Sequence, residues 1–342
     1  ARVEYGTDGL VRATASKYVA GEVLGPFKYE KTRKDDPNDF IPHQHRREIR
    51  GLGIVNAWLN HIDFKSANSM DSYVTVNGKS YVKHYLIDFG TILGSGGRGP
   101  QPKYRGYESE IDPHKLFFRI VTLGLYVPKW ERVPHEVEYP CIGRFHSEFF
   151  EPDKFTFIFP NPAYDDLTDR DGFWGAKLVM SFTDEQLQAV VEKADYPDPE
   201  AAEYLLQTII ERRDKTGRYW FDRVCPLDSF TIEQSREEGQ SLDFKDIAVE
   251  TGLESEDAAV YRYTVYHNGK EIASAKDIGS STKIELPLPD EWNVNEPPEN
   301  FPGHQWKIAL QKRRDNGKWS DPVDVYLNEN NDIFELVGIE RN

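Results

Sequence analysis

At 342 residues the chain has room for about two domains of the usual ~100–200 residues, and 38% hydrophobic with 13% aromatic residues excludes wholesale disorder. Its net charge of −16 repels phosphate backbones and anionic lipid, which argues against general nucleic-acid or membrane-surface binding; a nucleotide would need local cations or metal ions. Cys141 and Cys225 have no CxxC spacing, and no apolar run reaches the roughly 18 residues of a membrane span, so neither a structural zinc site nor a transmembrane helix is expected.

In chain order, Val11–Ala20 has strand character, broken by Gly21, Gly25 and Pro26, and Lys31–Asp39 reads as a solvated charged loop. Ile49, Leu52, Val55 and Leu59 recur at helical steps, which predicts an amphipathic helix over His45–Trp58. The β-rich runs Tyr73–Val76 and Ser80–Asp88 are joined through Asn77-Gly78, a strong hairpin signal. Gly90–Gly106 is glycine-rich and too flexible for regular structure. Leu116, Ile120 and Leu123 suggest a buried helix ending near Tyr126, and Phe173–Phe182 another. Thr183 and Gln186 form a capping-box start for a third, and Pro199 opens a fourth with Leu205, Leu206, Ile209 and Ile210 on one face. From Phe230 the pattern turns to alternation and turns, with Tyr261–Tyr266, Asn268-Gly269, a Pro-rich loop over Pro287–Pro302, Trp306–Leu310, Asn316-Gly317 and Val323–Leu327. Short strands at this spacing predict a β-sandwich of ~110 residues.

The polar break after the first helix carries chemistry. It reads His61-Ile62-Asp63-Phe64-Lys65-Ser66-Ala67-Asn68, and the second hairpin strand ends in Asp88-Phe89-Gly90. Phosphoryl transfer needs a carboxylate to orient or deprotonate a hydroxyl, oxygen ligands for magnesium, and a cation against the phosphoryl group. Asp63, then Asn68 with Asp88, and Lys65 supply these roles in turn. The hairpin would bring Asp88 back beside Asn68.

HxDxKxxN followed by a hairpin and IDFG resembles the catalytic and metal-binding loops of the protein-kinase-like superfamily. The resemblance implies that Asp63 is the catalytic-loop aspartate and Lys65 its companion lysine. It likewise implies that Asn68 and Asp88 hold Mg2+ or Mn2+, and that His61 is a structural histidine. The wider context (PHxHRREIRGL, WLNHID, HYLIDFGTILGSG, GRYWF and VGIER) is similar to an uncharacterised bacterial kinase-like family distantly related to spore-coat and secreted kinases; that family commonly carries export signals, which implies a periplasmic or secreted location. Ile62 stands where typical regulated kinases carry an arginine that reads a phosphorylated loop, so activation by that route is not expected. The fold class expected is α+β. Residues 1–42 are read as a remnant of an N-lobe or hinge with a linker, and 43–225 as a mostly helical kinase-like C-lobe with its catalytic-loop hairpin. Residues 226–342 are read as an all-β sandwich of fibronectin-III or immunoglobulin type. No glycine-rich lid or strand lysine precedes Asp63, so further residues are expected upstream of Ala1.

Other signals carry bland readings. Gly94–Gly99 fits GxGxxG, but Pro100 and Pro102 stand where a helix should start, which favours a mobile loop over a dinucleotide fingerprint. His43 and His45 are read as a polar helix start. Asp36, Asp39, Asp165, Asp166, Asp169 and Asp171 are read as solvated loop carboxylates, and Arg212, Arg213, Lys215 and Arg218 as the solvated, dipole-matched end of a helix. Tyr219, Trp220 and Phe221 are read as core aromatics, and Asp71 as a turn residue at the hairpin edge or an extra magnesium neighbour. The leading function is transfer of the ATP γ-phosphoryl to a protein or small-molecule hydroxyl. A pseudokinase scaffold whose sandwich binds a partner or glycan stands second, and a metal-dependent hydrolase on His43, His45, His61 and Asp63 third.

Overall fold

Six of the seven α-helices among the described residues open on a side chain that accepts a first-turn amide, which satisfies donors that a helix leaves free. In the computed structural model, which describes residues 9, 11, 16–133, 136–235, 239–286, 304–314, 317–330 and 333–341, Asp112 caps α2 (Pro113–Val121) and Asp198 caps α6 (Pro199–Arg223). Thr168 with Asp171 and Thr183 with Gln186 build full capping boxes on α4 (Asp169–Met180) and α5 (Asp184–Lys193). The Thr168 box explains why α4 starts ahead of the apolar run at Phe173. No side chain caps α1 (Arg47–Trp58), and His43–His45 forms a separate 3-10 turn before it. A one-turn helix, α3 (Pro162–Asp165), lies between α2 and α4.

The first sheet has the order β1-β2-β3, with β1 at Glu22–Gly25, β2 at Ser69–Val76 and β3 at Lys79–Leu86. Asn77 and Gly78 both take positive φ, the geometry of a two-residue hairpin turn. The described part of Val11–Ala20 contains no strand; the first begins at Glu22. The segment before α1 also does more than link. Phe27 and Tyr29 bury their rings against Phe64 and form a small core under the loop that follows α1.

α1 crosses α4 at close range because glycines line both helices. A Cβ on Gly175 would lie 2.6 Å from the Gly51 carbonyl oxygen. Arg50 locks the pair with two hydrogen bonds to Asp171, at 2.6 and 3.0 Å. α4, α5 and α6 complete the helical core with Phe173, Val179, Leu187, Leu205 and Trp220. Trp220 and Phe221 are buried as expected for core aromatics.

α2 is different. It has the amphipathic stripe of a core helix, yet none of its residues is buried, and Leu116, Ile120 and Leu123 are 58%, 64% and 92% exposed. Periodicity reports that a helix has an apolar side, not that the fold covers it.

The C-terminal region holds β4 (Leu227–Ser235), β5 (Gly239–Asp246), a one-turn α7 (Ile247–Glu250), β6 (Ala259–His267), β7 (Lys270–Gly279), β8 (Lys283–Leu286), β9 (His304–Arg314), β10 (Val323–Asn330) and β11 (Ile333–Arg341). They form two antiparallel sheets, β4-β5-β8 and β11-β10-β9-β6-β7, that share one apolar core. β6 alternates buried with half-buried residues along its whole length. The expected Pro287–Pro302 loop and Asn316 lie outside the described residues. The chain is thus α+β, with antiparallel sheets throughout. α7 seats Ala248 in the helical core, joined there by Leu253. Lys312, itself buried, pairs with Asp246 at 2.5 Å and Glu254 at 2.7 Å beside that junction.

Candidate active site

The loop after α1 starts where Asn60, with positive φ, turns the chain out of the helix. The end of α1 is held from another element: Arg212 of α6 donates to the carbonyls of Trp58 at 2.8 Å and Ala57 at 2.5 Å. The His61 amide bonds the Asn56 carbonyl at 2.8 Å, so the loop leaves α1 along a fixed path.

His61 is buried. Its Nδ1 pairs with the Asn56 amide oxygen at 3.2 Å, and the Asn56 amide nitrogen donates to the Tyr164 hydroxyl at 3.1 Å. Tyr164 stacks on Phe64, which fixes the loop from its other side. Burial lowers the His61 pKa, opposed by the nearby Asp63 carboxylate and by the backbone and carboxylate of Asp88. His61 Nε2 makes no hydrogen bond of good geometry. The ring therefore sits neutral, within electrostatic reach of both expected carboxylates.

Asp63 is held from one side only. Lys65 pairs with its Oδ2 at 2.8 Å, while Oδ1 is buried with no hydrogen-bond partner among the described residues. The Asn68 amide nitrogen donates to the Asp63 carbonyl at 2.7 Å, which leaves the Asn68 amide oxygen turned away from that bond. The hairpin register pairs Ser69 with Leu86, and the Ile87 amide donates to the Asn68 carbonyl at 3.1 Å. Asp88 follows directly, exposed, with one carboxylate oxygen accepting from the Gly90 amide at 2.9 Å. Backbone pairing thus brings the end of β3 to Asn68, and through Asn68 to Asp63 and Lys65.

A cleft of about 690 Å3 opens beside this loop. Lys28, Lys31, Arg33, Lys34 and Lys65 line it beside Ser66 and outnumber its carboxylates, Glu30, Asp35 and Asp71. In a chain of net charge −16, lysines gathered on one cleft make a local site for anions.

Several expected roles change. Asp71 is neither at a turn nor free for a metal: it is buried inside β2, ion-paired with Arg33 at 2.9 Å and hydrogen-bonded to His84 at 2.6 Å. His43 bonds Asp39 at 2.8 Å and stacks on Phe27, while the exposed His45 lies 3.8 Å from Asp166. No cluster of three or more His, Cys, Asp or Glu side chains suited to a metal occurs among the described residues, and these histidines do not converge with His61. Asp39 and Asp171 are buried partners of cations rather than solvated carboxylates. Arg212 and Arg213 are buried in the middle of α6 rather than solvated at its end, because α6 runs on to Arg223. The segment after Gly90 is irregular but pinned: buried Gln101 bonds the side chain of Asn60 and the carbonyls of Thr91 and Ser95. Both cysteines are free, Cys141 exposed and Cys225 buried.

Sequence reasoning missed Asn56, Tyr164 and Arg212 as supports of the loop. Only Arg212 lay in a flagged motif, and nothing local marked it as buried. No helix of the described residues is long and apolar enough to cross a membrane. No family model, curated protein or solved structure matches the chain.

Proposed function

We propose that this protein is a kinase-like phosphotransferase that moves the γ-phosphoryl of ATP to a hydroxyl of a protein or small molecule, and that its helical region is a kinase-like C-lobe followed by a sandwich of fibronectin-III or immunoglobulin type. One observation carries the reading: Asp63 keeps a buried, unpartnered carboxylate oxygen while Lys65 holds the other. An acceptor hydroxyl would satisfy that oxygen. Asp63 then takes its proton as the oxygen attacks phosphorus and the phosphorus–oxygen bond to the leaving ADP breaks.

Lys65 serves as the cation nearest the transferring group. Its pairing with Asp63 keeps that carboxylate in place. The lysine-lined cleft gives a phosphate-bearing substrate a path to Lys65. Neutral His61, locked by Asn56, supports the loop from behind without adding a competing charge.

Magnesium or manganese fits the donors that remain. The Asn68 amide oxygen and the Asp88 carboxylate are hard oxygen ligands, and neither is consumed by a cation of the chain. Bound there, the ion would neutralise charge on the phosphates of ATP.

The test is phosphoryl transfer from ATP, together with thermal shift by Mg-ATP on the intact protein. Turnover should vanish in Asp63→Ala and in Asp88→Ala, and Mg-ATP should raise the Tm of the wild type. Unchanged transfer in either variant overturns the assignment. Stabilisation by Mg-ATP without turnover points instead to the scaffold reading.

A further inference from the structure

A second cavity, of about 260 Å3, is lined by Asn60 at the start of the Asp63 loop, the segment 101–108, Lys115 of α2 and the residues after that helix, the segment 144–156 and Arg212 of α6, but by none of Asp63, Lys65, Asn68 and Asp88. Its cations (Lys103, Arg105, Lys115, Arg144, Lys154 and Arg212) outnumber its carboxylates, Glu108 and Glu151. The excess is notable in so acidic a chain, yet charge alone would not make a site.

The buried polar atoms around it do. Lys103 Nζ, Arg105 Nη1, Trp130 Nε1 and His146 Nδ1 are all buried and find no hydrogen-bond partner among the described residues. An ammonium shut away from water without an acceptor costs several kcal/mol, and an indole N–H about 1–3 kcal/mol. Buried donors that converge on one cavity are therefore costly unless something enters to accept from them. Arg212 adds to the field. It is buried with backbone carbonyls and aromatic rings for company and no carboxylate, and burial lowers its pKa to about 9. Burial and the charges of Arg212 and Lys215 push His146 down to about 4, so it stays neutral near pH 7 and its Nδ1 can bond an anion without carrying charge.

The remaining wall is aromatic. Tyr107, Trp130, Phe149 and Phe150 line it. A cavity of about 150 Å3 accommodates benzene, so this one has room for a single substituted ring.

We propose that this cavity binds a small organic anion, a phosphoryl or carboxylate group carried on one planar ring. The anionic group accepts from Lys103, Arg105 and Trp130, and the ring packs on Tyr107 and Phe149. The site stands independently of phosphotransfer.

Calorimetric titration of the intact protein with phenyl phosphate, benzoate and the neutral control benzyl alcohol tests it. Phenyl phosphate or benzoate should bind saturably, and benzyl alcohol at least tenfold more weakly. Lys103→Met should weaken anion binding at least tenfold with an unchanged circular dichroism spectrum. Trp130→Phe keeps an aromatic side chain, though a smaller one, while removing the indole N–H, and should weaken binding severalfold. Asp63→Asn should bind these probes like the wild type. Absence of saturable binding by both anions, equal binding by Lys103→Met and wild type, or loss of binding in Asp63→Asn would each overturn the proposal.

Discussion

The two main cores of this molecule are built on opposite terms. The C-terminal core is apolar and continuous: Leu227, Leu242, Val265, Ile308, Leu310 and Val325 are sealed between two sheets, and the charges buried around it are ion-paired, Asp246 with Lys312, Asp228 with Lys177 and Asp324 with Lys307. The helical region and its small sheet bury His61, Asp71, Asp171, Arg212 and Arg213. Apolar burial stabilises without regard to direction, whereas a buried polar group does so only when its partner is in place. A region that keeps such groups, some of them unpartnered, has given up stability for geometry. Both candidate ligand sites lie there.

Five substitutions would break or sharpen that contrast. The largest effect is expected for Asp63→Asn, which keeps the shape of the loop but removes the proposed base. Phosphoryl transfer should fall about 10²–10⁴-fold with little change in Tm. A wild-type rate in this variant would show that the unpartnered oxygen is not used.

Next come two core substitutions of similar cost and different reach. Arg50→Met leaves the Asp171 carboxylate buried beside α1 without its cation and should cost about 3–5 kcal/mol in urea unfolding. Burial alone would raise the Asp171 pKa, and hydrogen bonds from Arg50 and Thr168 outweigh it and hold the group below its ordinary value, so losing Arg50 removes much of what keeps this carboxylate charged. Leu310→Ala in the apolar core should cost about 2–5 kcal/mol by cavity formation. Because α1 leads straight into the Asp63 loop, Arg50→Met should also impair transfer under conditions where Leu310→Ala, still folded, retains it. Equal loss of activity in both would show that the two regions are not separable.

A smaller effect is tied to pH. The unfolded chain protonates His146 near 6.5 and the folded chain only near 4. The native state therefore binds fewer protons in that window. The stability linked to His146 is full above the unfolded value and is lost as pH falls from 6.5 toward 4. The total is on the order of 3 kcal/mol. His146→Gln should flatten this part of a stability-against-pH curve, and an unaltered slope would mean that the imidazole is not shielded. The smallest effect belongs to Thr183→Ala, which removes the α5 capping box far from either site and should cost about 1 kcal/mol.

Much of this architecture is legible from short stretches of sequence. The capping boxes at Thr168 and Thr183, the Pro199 helix start, the Asn77-Gly78 reversal and the alternation of β6 all depend on residues within a few positions of one another. Asn68 meeting the end of β3 follows from that reversal alone, since a two-residue turn fixes the register of both strands. Thr168 itself was overlooked because the apolar run at Phe173 drew the boundary inward.

What lay beyond reading was whatever depends on a distant partner. Arg212 looked like one charge in a solvated run, yet it seals the end of α1 more than 150 positions earlier in the chain. Asp71 looked available to a metal until Arg33 and His84 closed on it. α2 carried the stripe of a core helix and is left uncovered.

The sequence by itself determined the local geometry: helix starts, the hairpin reversal and the order of the polar residues from His61 to Asn68. Caps, turns and side-chain periodicity act over a handful of bonds. Only the tertiary structure decided which charges are buried, which are paired, and where the unpartnered donors gather. Those outcomes depend on which surfaces meet in space, and residues far apart in the chain settle that together.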